Sequence, residues 1–379
     1  MNNIYLDYAA TTPVSEEIIE SYCKLLKENF ANSDSIHDAG TKASGYLKKA
    51  RKQISSLLNC KENEVIFTSG STESNNLAIK GVAFAYQNRG KHIITSKIEH
   101  PSVIDSCKQL EELFGFEITY LDVDKKGLVN LEQLKNSLRK DTILVSIMAV
   151  NNEMGSIQDI KSISKIIKEN STALYHVDAT QAMCKERLDF SWADLYNFSS
   201  HKFYGLKGSS ALIKKEKVRL VPLLSGGQQE NNFRGGTTNW PSHVMLAKSL
   251  RIGLENMNNH YNHVKELNDY LKIKLQEIDG LVINSPSEAS NYILNVYFEN
   301  KRGEVIMNAL SNKGIYISTK SACSSRSKDY SSSIYELTKY VNIIKNSLRI
   351  YLSHLTTKEE LEIFVKELKN IVNNLKGWV

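Results

Sequence analysis

Two hydrophobic periods alternate along the first two-thirds of the chain. Apolar, β-branched runs at 64–68, 92–95 and 142–147 predict strands. Between them, apolar residues recur at helical spacing over 16–30, 43–58, 73–86, 102–114 and 160–168. The alternation predicts βαβ units and a mostly parallel sheet, an α/β fold. In such sheets ligands bind beyond the carboxyl ends of the strands. Thr68-Ser69-Gly70, Glu99-His100, Asn151-Asn152 and the stretch 178–181 each follow a strand-like run, so they are expected at one edge. After about residue 250 the pattern changes. A long polar helix over 257–278 leads to a strand at 292–298, a helix at 303–312, two more apolar runs and a closing helix from Lys358. Thr357 and Glu360 have capping-box spacing at its start. This part predicts a smaller α+β domain.

Composition narrows the class. At 379 residues, 41% hydrophobic and 24% charged, the chain is an ordinary globular protein with ample core. Its net charge of +6 is spread along the chain and gives no case for direct nucleic-acid binding. No apolar run is long enough to span a bilayer, so no membrane association is expected. Met1-Asn2-Asn3-Ile4-Tyr5 has no basic region followed by an apolar one, and a cytoplasmic location is expected. The five cysteines are odd in number, scattered and form no CxxC, which argues against a disulfide framework or a zinc site.

The chemistry concentrates between His176 and Lys202. Asp178, in His176-Val177-Asp178-Ala179-Thr180-Gln181, ends one apolar run, and Lys202 lies just beyond another, after Ser199-Ser200-His201. An acid to hold a pyridinium nitrogen and a lysine to form a Schiff base are what pyridoxal phosphate requires. Gln181, three residues after Asp178, can reach the same ligand. Thr68-Ser69-Gly70-Ser71-Thr72-Glu73 joins a strand to a helix and suits an anion, although an ordinary capped helix start reads the same way. No GxxxxGK[ST] is present. His100 suits stacking and proton transfer, or is a cap histidine. Arg349 lies inside an apolar run, as a carboxylate clamp or a buried ion pair. Cys323 lies in a polar loop with Lys320 and Arg326 nearby, which favours a thiolate.

These segments together are similar to one family. Residues 5–13, 67–76, 96–101, 151–155, 176–181, 199–202, 234–237 and 321–323 resemble, in order, the motifs of the cysteine desulfurases, pyridoxal-phosphate-dependent enzymes of the class V aminotransferase-like group. The resemblance implies a fold-type-I architecture, with a large domain at 15–255 and a small one made of 1–14 and 256–379. It implies that Lys202 links the cofactor, Asp178 bonds its pyridine nitrogen, Gln181 its ring hydroxyl, and His100 stacks on the ring. Ser71, Thr72, Ser199, Ser200 and His201 would line the phosphate site, with Thr237 supplied by the partner of a homodimer. Asn152 would touch cofactor or substrate, Arg349 would bind the carboxylate of L-cysteine, and Cys323 would be the nucleophile that takes up sulfur as a persulfide. A sulfur-acceptor protein serving iron–sulfur assembly or tRNA thiolation is the implied partner.

The chain departs from the pattern in places. Lys320 stands where glycine is usual, Ser353-His354 where Gly-Arg is common, Asn32-Ser33 replaces Asn-Pro, and the loop at 226–233 is about one residue longer. None of these removes a catalytic group. A selenocysteine lyase, a class V aminotransferase and a sulfur-carrier scaffold without activity are the competing readings.

Overall fold

The computed structural model describes residues 3–319 and 332–375. Twelve strands are present among them: β1 (Ile4–Tyr5), β2 (Val65–Thr68), β3 (His92–Ser96), β4 (Glu117–Leu121), β5 (Thr142–Ser146), β6 (Leu174–Asp178), β7 (Leu195–Ser199), β8 (Ser210–Lys214), β9 (Leu281–Ile283), β10 (Ile293–Phe298), β11 (Ile315–Tyr316) and β12 (Ser347–Tyr351). Strands β2 to β8 form a seven-stranded sheet in the order β2-β8-β7-β6-β5-β3-β4. Only β8 runs against its neighbours. The expected mostly parallel sheet is therefore present.

The strands are apolar on both faces because both faces are covered. Neighbouring residues point to opposite sides. Ile66, Ile93, Leu144, Leu195 and Leu212 pack with the helices Ser71–Tyr86 and Pro101–Phe114. Phe67, Ile94, Val145, Tyr196 and Ala211 join the larger core on the other side. That core continues into the second, antiparallel sheet, β12-β10-β9. The short β1 pairs in parallel with β11, so the N-terminal segment lies against the C-terminal part of the chain.

The long helix differs from its expected extent. It runs unbroken over Trp240–Gln276, starting well before 257 and passing through position 255. Pro241 sits in its first turn, where its missing N–H costs nothing. The buried Met245, Leu246, Ala247 and Leu250 then keep the helix on the core. The closing helix Lys358–Asn374 begins at the expected capping box. Thr357 Oγ1 accepts from Glu360 N–H at 3.2 Å, and Thr357 N–H donates to Glu360 at 2.9 Å.

His243, on the long helix, stacks on Phe67 with ring centres 4.5 Å apart. Its Nδ1 lies 2.8 Å from Ser209 Oγ. Burial, helped by Arg51 and Arg234, pushes its pKa from 6.5 down to about 3. The unfolded chain therefore takes up a proton here first as pH falls. The stability that His243 contributes is full above its unfolded value and is lost as pH drops towards the folded one. His243→Gln is expected to shrink the fall in urea midpoint between about pH 6.5 and 4. An unchanged pH slope in that variant would contradict the assignment.

Candidate active site

Five strand ends of the large sheet converge on a cavity of about 210 Å³. β2 delivers Gly70, Ser71 and Thr72; β3 delivers His100; β5 leads to Asn152. β6 ends in Asp178 and continues to Gln181, and β7 leads to His201 and Lys202. Arg349, from β12 of the second sheet, closes the wall with Ala9 and Ala10 of the N-terminal segment.

Asp178 lies deep in this cavity and is 5% exposed. Its Oδ1 accepts from the Thr180 N–H at 3.0 Å. Its Oδ2 accepts from Asn75 Nδ2 at 2.8 Å. The same Asn75 amide donates to Ser102 Oγ at 2.8 Å, and Ser102 Oγ lies 2.8 Å from His100 Nδ1. A chain of short polar contacts thus joins the acid to the imidazole. His100 is also the N-cap of its helix, because Nδ1 accepts the Ser102 backbone N–H at 3.1 Å. That bond assigns the lone pair to Nδ1 and the ring proton to Nε2. Burial holds the His100 pKa below its ordinary value, and Lys202 adds to this against the pull of Asp178. His201 is pushed down to about 3 by burial and then by Lys202, Lys207 and Lys185. Both rings are neutral at pH 7.

Lys202 Nζ donates to the carbonyls of Ala9 and Ala10 at 2.6 and 2.9 Å. Gln181 Nε2 donates to the Ala9 carbonyl as well, at 3.1 Å. Arg349 is 2% exposed. Its Nη2 meets Asp7 at 2.8 Å and its Nη1 donates to the Asn152 carbonyl at 3.0 Å, while Nε is buried without a partner. It is at once a buried ion pair and a guanidinium with a donor to spare.

The remaining expected residues fall in three places. Ser199 and Ser200 are buried beside the site, but both hydroxyls turn to the Ser209 carbonyl, at 3.5 and 3.0 Å. Neither lines the cavity. Thr237 is exposed and also lies outside it. Cys323 and Lys320 lie outside the described residues. The two ends of their segment are placed, however. Ser318 exchanges both main-chain hydrogen bonds with Arg349. Ser333 Oγ accepts from Asn151 Nδ2 at 3.1 Å. The segment therefore leaves from beside Arg349 and returns beside Asn151, at the cavity rim. Among the described cysteines none lines the cavity. Burial pushes Cys60 up to about 11 and Cys184 to about 12, so both stay thiols.

The donor set fits pyridoxal phosphate. Asp178 would serve as a buried acid for the ring nitrogen, Gln181 as an amide for the ring hydroxyl, and Lys202 as the amine for the aldehyde. Gly70 leaves the helix Ser71–Tyr86 without a side-chain cap, so the first N–H groups remain for a phosphate, beside the Ser71 and Thr72 hydroxyls.

The family model for class-V aminotransferases matches residues 4–364. The chain belongs to that family, among its cysteine desulfurases. It is 42% identical to the cysteine desulfurase IscS of Dictyoglomus turgidum, over 98% of this chain and 95% of that one. A solved NifS-like protein superposes with a TM-score of 0.93 at 34% identity, covering 98% of this chain and 100% of the other. SspA, solved in complex with cysteine, superposes with a TM-score of 0.81 at 33% identity over 93% of this chain and all of its own. Members of this family are pyridoxal phosphate enzymes, which agrees with the donor set.

Asn75, Ser102 and Asp7 hold the site yet were not among the residues expected there. Asn75 lies inside the 67–76 motif and Ser102 directly follows the His100-Pro101 motif, and this adjacency was the available signal. Asn75→Ala is expected to weaken cofactor binding about tenfold or more, since a hydrogen bond to a charged group is worth roughly 1.5–3 kcal/mol. Fluorescence titration of the apo-protein with pyridoxal phosphate measures this. Unchanged affinity in a folded variant would show that Asp178 does not need the amide.

Proposed function

We propose that the protein converts L-cysteine to L-alanine, taking the sulfur onto Cys323 as a persulfide and passing it to an acceptor protein. The observation that carries this is the placement of Arg349 and of Ser318 and Ser333, the described residues on either side of Cys323. Arg349 offers a buried donor to a substrate carboxylate, and its strand partner Ser318 leads directly into the segment that holds Cys323. The likeness to a relative solved with cysteine supports the same substrate.

Pyridoxal phosphate, when bound, supplies the electron sink for breaking bonds at the amino acid's α-carbon. Lys202 would hold it, and its free amine would take up the Cα proton. Asp178 would keep the ring nitrogen protonated, with Asn75 and the Thr180 N–H holding the carboxylate for that task. His100, buried and neutral, would stack on the ring with its own proton on Nε2. Asn152 contacts cofactor or substrate at the rim. Ser71, Thr72 and His201 would line the phosphate end of the cavity, with Ser199 and Ser200 buried behind them, their hydroxyls on the Ser209 carbonyl. The Cys323 thiolate attacks the substrate sulfur, so an S–S bond forms as the C–S bond breaks. The electron pair of the C–S bond stays with the substrate's β-carbon, which takes up a proton; Lys202 returns a proton to Cα, and the product leaves as alanine.

The working form is a homodimer in which Thr237 serves the partner's cavity. Its exposure outside its own cavity supports this, as do Phe30 and Ile36, which are 95% and 100% exposed. The acceptor serves iron–sulfur assembly or tRNA thiolation, and the protein works in the cytoplasm. No helix among the described residues is long and apolar enough to cross a membrane.

Two variants test the reading. Lys202→Ala is expected to abolish the visible absorbance of the reconstituted protein. Cys323→Ser is expected to bind L-cysteine, with the spectral change intact, and to form no persulfide detectable by mass spectrometry. Persulfide or sulfide released by Cys323→Ser at the parental rate would remove Cys323 from the mechanism.

A further inference from the structure

A second cavity, of about 340 Å³, lies behind Gln181 and shares no lining residue with the first. We propose that it is a binding site for a small carboxylate with an apolar body. Phe203, Tyr351, Ile252 and Leu355 are among its walls, so most of an occupant must be apolar. Two of the buried polar groups that line it are poorly matched within the protein. Lys185 is 4% exposed, and its ammonium has a long 3.4 Å contact to Gln181 Oε1 and the Tyr351 ring at 5.2 Å. Tyr292 is 4% exposed, and its hydroxyl is buried without a partner. Buried donors left unmatched are costly, and a carboxylate has acceptors for both.

Charge decides between anions. His260 and His354 stack at 3.8 Å in the same cavity, and burial with mutual repulsion keeps His354 down at about 4. Among the described lining residues Lys185 is then the cation, and the exposed Glu16 carboxylate also lines the cavity, which suits a monoanion better than a phosphate. Burial pushes the Lys185 amine down to about 7, Lys202 adding to this and Cys184 and Glu186 opposing it. Carboxylate binding at pH 8 therefore draws in a proton. The contact to Gln181 ties the cavity to the cofactor site, but the proposal stands whether or not the desulfurase reading holds.

The test titrates the holoenzyme with benzoate, phenylacetate and hexanoate by calorimetry at pH 8, in two buffers of different ionisation enthalpy. At least one probe is expected to bind one per chain with proton uptake, undisturbed by saturating L-alanine. Lys185→Met is expected to weaken it about tenfold or more and to abolish the uptake, and Tyr292→Phe to weaken it about threefold. The proposal is overturned if no probe saturates below about 10 mM, if L-alanine displaces it, or if Lys185→Met binds as tightly as the parent. Should Lys185→Met not fold, undiminished affinity in Tyr292→Phe overturns it instead.

Discussion

A single buried guanidinium holds the parts of this molecule together. Arg349 is among the largest fully buried side chains, and its charge must be met wherever the chain places it. It is met by Asp7 from the N-terminal segment and by the Asn152 carbonyl from the large sheet's edge. The strand that carries it pairs with β10 of the second sheet. Three separate stretches of sequence are thus fixed around one charge. Removing one partner of such a pair costs roughly 3–5 kcal/mol, because the other charge stays buried and unpaired. The same constraint creates the site. Asp7 and Asn152 use Nη2 and Nη1, and Nε is left as a donor. The residue that closes the structure thus also lines the cavity.

A second clamp of the same kind holds the loop before Thr237. Arg51 meets both carboxylate oxygens of Glu230, at 2.8 and 2.9 Å, and Glu230 also accepts the Phe67 N–H at 2.8 Å. Glu230 and its neighbours Asn231 and Asn232 have left-handed backbone, which non-glycine residues adopt at a cost. The ion pair to Arg51 and the hydrogen bond from β2 offset that strain and set the path of the chain towards Arg234 and Thr237. Arg234 is in turn fixed by Glu73 of the helix that carries Ser71 and Thr72, at 3.1 Å. The phosphate end of the cavity and the loop of Thr237 are therefore mechanically one unit.

Much of this was legible in the sequence because the sheet is covered on both faces. Its strands then read as uninterrupted apolar runs, and the polar residues just past them stand out. Asp178, Lys202 and His100 could be found that way. Asn75 could not, because its partner Asp178 is 103 positions away and only the fold brings them together. Ser199 and Ser200 were legible as neighbours of Lys202, but not the direction of their hydroxyls. The Ser209 carbonyl from the adjacent turn takes both, as it must where backbone acceptors are buried. The long helix was underestimated because its first turns are mostly buried and mix Ser242, His243 and Ser249 with the apolar residues, which blurs the helical period.

The charge distribution explains why so polar a cavity is workable. Three histidines near it or in the sheet beneath it (His100, His176 and His201) are held below their ordinary values, mainly by burial. They supply hydrogen bonds without adding charge. Asp178 is the carboxylate among the lining residues, with Lys202 and Arg349 as the cations. With Asp7 beside Arg349, the cavity remains suited to an anionic cofactor and a substrate carboxylate. Lys202 meets the main-chain carbonyls of Ala9 and Ala10. A neutral acceptor stabilises an ammonium less than a carboxylate does, so these carbonyls hold Lys202 in place without pairing it to a second charge.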